Sequence, residues 1–188
     1  IVFSSLGALR IKAAKQNNLI DENKWSPLWV VDFPLFEWNE DHSRWDSLHH
    51  PFTSPNFGDI EYLDKDPSRV RSLGYDIVMN GYEIGGGSIR IYDKKLQSKI
   101  FDLLGISNEE ANEKFGFLMN AFKYGAPPHG GMAFGFDRLI MLLVGSKQIR
   151  DVIAFPKTTS AMSLMDNSPS LVDSQQLEEL GLTVKNKE

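Results

Sequence analysis

The feature that most constrains the fold is an Asn-Gly pair between two apolar runs, in YDIVMNGYEIGGGSIRIY at residues 75–92. An Asn-Gly pair in that setting is the strongest short-range signal for a β-hairpin with a two-residue loop. It predicts strands over 73–79 and 82–92, with Val78 opposite Glu83. The chain is therefore expected to contain an antiparallel sheet.

Two acidic residues of this hairpin are predicted to converge. Side chains two apart on a strand share a face, so Asp76 should lie on the face of Val78 and diagonal to Glu83. Two carboxylates at that separation repel each other unless a cation or a proton lies between them. Asp76 and Glu83 are therefore candidate Mg²⁺ ligands; the alternative is an edge hairpin whose acids face water.

Arg90 follows Glu83 by seven residues, an odd number, which in a regular strand places the two side chains on opposite faces. The three glycines at 85–87 permit a bulge that shifts the side-chain register. With one bulge, Arg90 reaches the same cavity as the acids. Recessed between Ile89 and Ile91, its fork of donors suits a planar carboxylate. The alternative is a surface arginine.

The rest of the chain reads as a mixture of hairpins and helices. The pattern predicts helices over 5–17 (capped at Ser4 or Ser5), 94–104 and 107–125, a hairpin over 28–48, a strand in DVIAFP, and a weak helix near SQQLEEL. Residues 51–70 lack a clear period and are expected to form a long surface loop of the lid or binding type. Without a strand–helix–strand cadence, the class indicated is α+β, an antiparallel β-sheet flanked by helices.

The run GGMAFGFDRLIMLLVG is predicted as a short strand that leads into a helix, with Arg138 in the first helical turn. Backbone N–H groups and the helix dipole favour an anion there, and the neighbouring glycines allow a ligand to approach closely. A phosphate is the expected ligand, although Asp137 and Arg138 could instead form a helix-terminal ion pair. The residues expected on the buried stripe of this helix are Phe136, Leu139, Ile140 and Leu143.

His49 and His50 stand in SLHHPFTSP, at the end of a predicted strand. Adjacent strand residues point in opposite directions, so a shared metal is not expected. One of the two histidines could donate to a carboxylate or phosphate while the other fixes the loop. A structural role for both is the alternative.

Composition narrows the chemistry further. The 188 residues contain no cysteine, which excludes disulfides, thiolate metal sites and a cysteine nucleophile. A net charge of −5 argues against a large polyanion-binding surface on this segment. No apolar run is long enough for a membrane span, and we expect a cytoplasmic protein.

Several segments resemble one family. GGMAFGFDRLIMLL resembles motif 3 of class II aminoacyl-tRNA synthetases, while LHHPFTSP, YDIVMNGYEIGGGSIRI and IRDVIAFPKT are similar to bacterial aspartyl-tRNA synthetases. Ala133 stands where the middle glycine of motif 3 is often written. The resemblance implies that residues 1–160 are the C-terminal part of the catalytic core and that 161–188 form a tail.

The resemblance also implies roles for individual residues. Asp76 and Glu83 would bind Mg²⁺ and, through it, the phosphates of ATP. Arg90 and His49 would bind L-aspartate. The ATP-binding residues would be Glu83, Gly135, Phe136, Asp137 and Arg138, of which Glu83 and Arg138 are the catalytic pair.

The implied activity is formation of aspartyl-adenylate from L-aspartate and ATP, followed by transfer to tRNA(Asp) in a homodimeric parent. The anticodon-binding domain and motifs 1 and 2 of that family are not recognisable in the 188 residues. We therefore expect the isolated chain to be inactive and to expose a sheet edge. The alternatives are an asparaginyl- or lysyl-tRNA synthetase, an aspartate–ammonia ligase, and a non-enzymatic binding module. Arg90 argues against lysine, and two convergent acids argue against a scaffold.

Overall fold

A computed structural model describes residues 2–185 of the chain. These residues divide into two compact units, of which the first ends at Gly135 and the second begins at Phe136. The boundary expected at residue 160 between core and tail stays a prediction. Within the described residues, no helix is both long and apolar enough to cross a membrane.

The first unit is built on a four-stranded antiparallel sheet and a separate two-stranded hairpin. Its strands are β1 (Pro27–Val31), β2 (Phe36–Asn39), β3 (Arg44–Ser47), β4 (Gly74–Met79), β5 (Tyr82–Ile89) and β6 (Gly130–Phe134). The order in the larger sheet is β1-β4-β5-β6, and β2 pairs with β3. The α+β class and the central hairpin are confirmed.

The described part of this unit contains three α-helices, namely α1 (Val2–Gln16), α2 (Lys94–Leu103) and α3 (Asn108–Ala121), besides short 3-10 helices. The predicted cap of α3 is confirmed, because the Ser107 hydroxyl accepts the Glu110 N–H at 3.2 Å. The predicted cap of α1 is wrong. Helix α1 begins at Val2, so Ser4 and Ser5 lie within its first turn instead of before it.

The hydrophobic core is formed by the start of β2, the segment before β4, the residue Ile91 after β5, and the C-terminal part of α2 with its cap. Its buried members are Leu35, Phe36, Leu63, Val70, Ile91, Ile100 and Leu104. Phe52, Phe101 and Phe115 pack together beside it, with ring centroids 5.1 to 6.1 Å apart. Ile91 follows Arg90 directly, so the core anchors the chain beside that arginine.

The segment 51–70, expected to be a surface loop, is buried in part: residues 53–55, 59, 63 and 70 are buried, while seven others are exposed. The Ser54 N–H donates to the Ile89 carbonyl at 2.9 Å, and the Ser54 carbonyl accepts the Leu73 N–H at 2.8 Å. Leu63 has no exposed surface. Residues 53–55 are therefore tied to the chain at the ends of β4 and β5, and Leu63 and Val70 belong to the core. The lid or binding role expected for the segment stays a prediction.

An ion pair holds the same segment in place. The Asp59 carboxylate accepts the Arg71 backbone N–H at 3.1 Å and two guanidinium N–H groups at 2.8 and 3.0 Å. These hydrogen bonds from Arg71 lower the pKa of Asp59. The two-pronged geometry is the one that arginine offers to a planar carboxylate.

The hairpin expected over 28–48 is divided between the two sheets. Strand β1 leaves it and pairs with β4, which places Val30 opposite Asp76. The break follows Asp32, which has a left-handed φ of 59°, and Pro34, which forms only an isolated bridge with Arg71. Pro34 thus interrupts the pairing, because proline lacks the N–H that a ladder needs.

In the second unit, the helices are α4 (Phe136–Leu143) and α5 (Ser174–Glu179). The segment DVIAFP forms no strand: a short 3-10 helix, Ile149–Asp151, runs into its first residue, and turns follow. The expected buried stripe of α4 is partly wrong, since Phe136 and Leu143 are exposed while Met141 is buried. The predicted weak helix near SQQLEEL is confirmed as α5.

Gly87 faces the backbone of β6 with no room for a side chain, and this yields a stability prediction. A Cβ on Gly87 would stand 1.9 Å from the Gly131 carbonyl oxygen, whereas a Cβ on Gly131 would meet nothing within 4 Å. Gly87→Ala should therefore destabilise the protein by about 1–3 kcal/mol, the usual cost of overpacking. Gly131→Ala is the matched control and should leave the melting temperature unchanged. Equal melting temperatures for the two variants would contradict the close approach.

Candidate active site

The turn of the central hairpin has the predicted two-residue loop. Asn80 and Gly81 have left-handed φ values of 52° and 87°, which explains the preference for this pair. The Asn80 side chain accepts the Ser26 N–H at 2.9 Å and donates to the Lys24 carbonyl at 3.1 Å. The turn is thereby tied to the residues that lead into β1.

One bulge in β5 determines which side chains share a face. Val78 lies opposite Glu83, but Ile77 lies opposite Gly85, so Ile84 is the extra residue. The Ile84 carbonyl accepts the Gly135 N–H at 2.9 Å. Counting from Glu83 across this bulge, Gly86, Ser88 and Arg90 fall on the face of Glu83.

The predicted bulge is therefore present, one residue before the three glycines. Asp76 pairs with Gly86 and lies two residues from Val78, so it shares the face of Glu83. The backbone beyond β5 stays extended, because Arg90 forms an isolated antiparallel bridge with Thr53. Asp76, Glu83 and Arg90 consequently lie on a single face of the sheet.

Glycines make room for the Asp76 carboxylate. A Cβ on Gly86 would lie 2.2 Å from Asp76 Oδ1, so only glycine leaves the carboxylate in this position. Burial and the charge of Glu83 raise the pKa of Asp76, and the charge of His49 opposes that shift. The two carboxylates thus interact across the strands, as expected for acids that converge.

His49 lies on the same side, next to Asp76. Its ring is 3.7 Å from the position of a Cβ on Gly74, the residue two before Asp76 in β4. The ring also makes an edge-on contact with Phe33, with centroids 4.8 Å apart. The role expected for His49 at bound aspartate stays a prediction; in this structure its electrostatic partner is Asp76.

The residue that sequence reasoning left without an assigned role is His50. Its ring contacts the Arg90 guanidinium: Nδ1 lies 3.0 Å from Nη1, and Nε2 also touches that atom. The pKa of His50 is lowered by burial and by the charges of Arg90 and His49. Adjacency to His49 in HHP was the available signal, but strand alternation gave no reason to place both rings at one site.

The residues expected around motif 3 to bind ATP are Gly135 in the first unit and residues 136–138 in the second. The Gly135 N–H donates to the carbonyl of Ile84, the extra residue of the bulge. Phe136, Asp137 and Arg138 form the first turn of α4, with Asp137 as the acidic residue there. Phe136 and Asp137 are exposed and Arg138 is partly buried. Their approach to a nucleotide stays a prediction.

The carboxylates of Asp76 and Glu83 suit a metal that prefers oxygen ligands. No group of three or more His, Cys, Asp or Glu side chains that could hold a metal exists within residues 2–185. A closed protein cage, such as a structural zinc site, is therefore not formed by these residues. Mg²⁺ is commonly held by one or two carboxylates together with substrate phosphates and water, which matches Asp76 and Glu83.

Solved structures of known proteins share the fold of this chain. The aspartyl-tRNA synthetase from Entamoeba histolytica matches with a TM-score of 0.54 at 23% identity, over 79% of this chain and 25% of that chain. The asparaginyl-tRNA synthetase from the same organism, in complex with asparaginyl-adenylate, matches with a TM-score of 0.53 at 24% identity. The match covers 72% of this chain and 26% of that chain. At these identities the likeness shows the fold of class II synthetases and no more.

The family follows from the sequence itself. The model of the family "tRNA synthetases class II (D, K and N)" matches residues 7–159, and the chain belongs to that family. The Aspartate--tRNA(Asp/Asn) ligase of Caldanaerobacter subterraneus subsp. tengcongensis is 59% identical over 184 residues, which is 98% of this chain and 31% of the relative. The Aspartate--tRNA ligase of Staphylococcus epidermidis strain RP62A is 58% identical over 185 residues, which is 98% of this chain and 32% of that relative.

The length of these relatives limits what this chain contains. It spans about a third of the curated relatives that it matches. The resemblance identified from the motifs is confirmed at the level of the family, and the activity of a whole synthetase is a proposal.

Proposed function

We propose that the chain forms part of the active site of an aspartate–tRNA ligase. In this proposal Arg90 binds the side-chain carboxylate of L-aspartate, while Asp76 and Glu83 bind a Mg²⁺ ion that carries ATP. The observation that carries the proposal is the single bulge at Ile84, which puts both acids and the arginine on one face. The names of the relatives at 58–59% identity support aspartate as the amino acid.

The spacing along the sheet suits an amino acid that meets a nucleotide. Asp76 pairs with Gly86, and Arg90 is four residues further along the same strand direction. Four residues of extended chain span about 13 Å. The long arginine side chain shortens that gap. A ligand with a carboxylate at one end and phosphates at the other fits between a cation and two acids placed in this way.

The charges of the site favour a dicarboxylic amino acid. Within the described residues Arg90 forms no ion pair with a carboxylate, so its charge is available to a ligand. It is also partly buried, which strengthens its interaction with an anion relative to a fully hydrated arginine. Lysine as the substrate would place two cations together, and asparagine would leave the charge of Arg90 uncompensated.

The two acids would serve the nucleotide. When bound, Mg²⁺ would neutralise phosphate charge and orient the phosphates. Asp76 and Glu83 would hold the ion, and Gly86 would leave space for the Asp76 carboxylate. We further propose that Gly135, Phe136, Asp137 and Arg138 contact ATP, with the Arg138 guanidinium on the γ-phosphate near the N-terminus of α4.

The proposed reaction needs no nucleophile from the protein. The α-carboxylate of aspartate attacks the α-phosphorus of ATP, a new O–P bond forms, and pyrophosphate leaves with the electrons of the broken P–O bond. A hydroxyl of the terminal ribose of tRNA(Asp) then attacks the aspartyl carbonyl carbon, the C–O bond to the phosphate breaks, AMP leaves and the hydroxyl proton is released. Arg90 and His49 would position the amino acid, so catalysis rests on orientation and on charge neutralisation. A cytoplasmic, homodimeric parent completes the proposal.

Aspartate-dependent exchange of pyrophosphate into ATP tests this function. The protein encoded by the complete natural reading frame should catalyse exchange with aspartate, and neither asparagine nor lysine should replace it. The 188-residue chain alone should show no exchange, because motifs 1 and 2 are not recognisable in it.

Two results would contradict these expectations. Exchange driven by lysine or asparagine in place of aspartate would overturn the substrate assignment. Robust aspartate-dependent exchange by the 188-residue chain would show that it holds a complete activation site.

A further inference from the structure

The Arg90 guanidinium has a neutral partner inside the protein. Nη1 of Arg90 lies 3.0 Å from His50 Nδ1. The Phe52 backbone N–H also donates to that Nδ1, at 3.2 Å. Because a backbone N–H can only donate, the hydrogen bond from Phe52 makes Nδ1 an accepting, unprotonated nitrogen of the ring, and Arg90 Nη1 touches Nε2 as well as Nδ1. His50 is therefore uncharged in this arrangement.

The electrostatic surroundings of His50 agree with this protonation state. Burial lowers its pKa, and the positive charges of Arg90 and His49 lower it further. Each of these effects disfavours the imidazolium form. A neutral ring beside Arg90 is thus what the surroundings stabilise.

The segment that carries His50 is fixed to the core. The Thr53 N–H donates to the His50 carbonyl at 3.2 Å. The Gln97 side-chain amide donates to the Pro51 carbonyl at 2.8 Å, and Gln97 has no exposed surface. These bonds hold the ring against Arg90 from a rigid support, which is what a positioning residue requires.

The type of partner matters for recognition. A carboxylate beside Arg90 would orient the guanidinium but would also neutralise it. A neutral imidazole accepts one N–H and leaves the positive charge intact. The remaining N–H groups of Arg90 then face a ligand at full charge, which favours a carboxylate over an amide of the same shape.

We propose that His50 is a positioning residue, a neutral acceptor that orients Arg90 without cancelling its charge and so sets the preference for aspartate over asparagine. This inference rests on the proposed function, because it assigns aspartate to Arg90. It makes His50 a determinant of amino acid specificity through Arg90, while His49 lies beside Asp76.

Three substitutions separate the parts of this inference in the protein from the complete reading frame. His50→Leu removes the acceptor and should raise KM for aspartate about tenfold, the loss expected for one hydrogen bond to a charged group. His50→Gln keeps a neutral acceptor and should restore most of the affinity. His50→Glu keeps an acceptor but cancels the charge, and should raise KM for aspartate at least as much as His50→Leu. KM for ATP should stay within about twofold in all three.

The matched control is His42→Leu, because His42 is an exposed histidine at the β2–β3 turn. It should change neither KM. If His50→Leu and His50→Gln raise the two KM values together, or if His50→Glu binds aspartate as well as the wild type, the positioning role is refuted and His50 is only structural.

A second measurement reads the contact without relying on activity. The guanidinium N–H signals of Arg90, assigned by their loss in Arg90→Lys, should show hindered rotation in the wild type and in His50→Gln. They should be averaged in His50→Leu. Averaged signals in the wild type would refute the inference even if exchange is normal. A wild type without aspartate-dependent exchange would refute the proposed function, and the specificity role with it, while these signals would still report whether His50 orients Arg90.

Discussion

Replacing Arg90 with leucine is expected to reduce the affinity for aspartate by roughly a hundredfold or more, the cost of removing one partner of a hydrogen-bonded, partly buried charged pair. Binding of Mg-ATP should stay within about twofold, because Arg90 lies about 13 Å of strand from the pair formed by Asp76 and Gly86. Aspartate-dependent exchange, measured over a range of each substrate, separates the two effects. The loss should appear in KM for aspartate.

Two further variants make this prediction specific. Arg90→Lys keeps the charge but loses the planar fork of donors, so its KM for aspartate should lie between those of the wild type and Arg90→Leu. Arg10→Leu removes an exposed arginine from α1 and should leave both substrates unaffected. An Arg90→Leu variant that keeps normal affinity for aspartate would remove Arg90 from the site.

Replacing Glu83 with glutamine should abolish most of the affinity for Mg-ATP. The amide removes one of the two carboxylates proposed to hold the ion, and even residues that only orient metal ligands contribute about tenfold to a hundredfold. Titration calorimetry with ATP in the presence and absence of Mg²⁺ measures this loss. The same titration on Arg138→Ala should also show weaker binding, since that guanidinium is proposed to bind the γ-phosphate.

The matched control for the charge change is Glu37→Gln, an exposed carboxylate on β2, outside the four-stranded sheet. It should bind Mg-ATP as the wild type does. If Glu83→Gln keeps wild-type affinity and the same dependence on Mg²⁺, the two acids of the hairpin do not hold the nucleotide's metal.

The central hairpin could be predicted because its determinants are local. Asn80 and Gly81 specify the turn, the turn specifies the register, and the register puts Asp76 and Glu83 on one face. The bulge was expected from the three glycines but lies at Ile84. Gly86 leaves space for the Asp76 carboxylate, and Gly87 leaves space for the Gly131 carbonyl of β6.

The predictions from the sequence were wrong where residues far apart in the chain determine the structure. Residues 51–70 lack a period, yet residues 53–55 are buried, and Ile89, Leu73 and Arg71 supply hydrogen-bond partners for the backbone of Ser54 and Asn56. Likewise, β1 pairs with β4 and not with the following strand, since Asp32 and Pro34 break the local ladder. A single sequence carries no record of such partners.

The sequence pattern alone could not assign a role to His50. Strand alternation predicts that His49 and His50 point apart, and the structure places one ring beside Asp76 and the other on Arg90. Both partners belong to one face of the sheet. What separates the two histidines is which charged group each one faces, and that depends on the tertiary fold.

The central claim is that two acids and one arginine on a single sheet face form one site for metal-bound ATP and aspartate. Its most direct test is anomalous diffraction from crystals of the protein encoded by the complete reading frame, grown with Mn²⁺, a non-hydrolysable ATP analogue and aspartate. We expect a manganese peak at coordination distance, about 2.0–2.3 Å, from the Asp76 and Glu83 carboxylates, with the side-chain carboxylate of aspartate on Arg90. A manganese ion bound elsewhere, or aspartate bound away from Arg90, would contradict the claim.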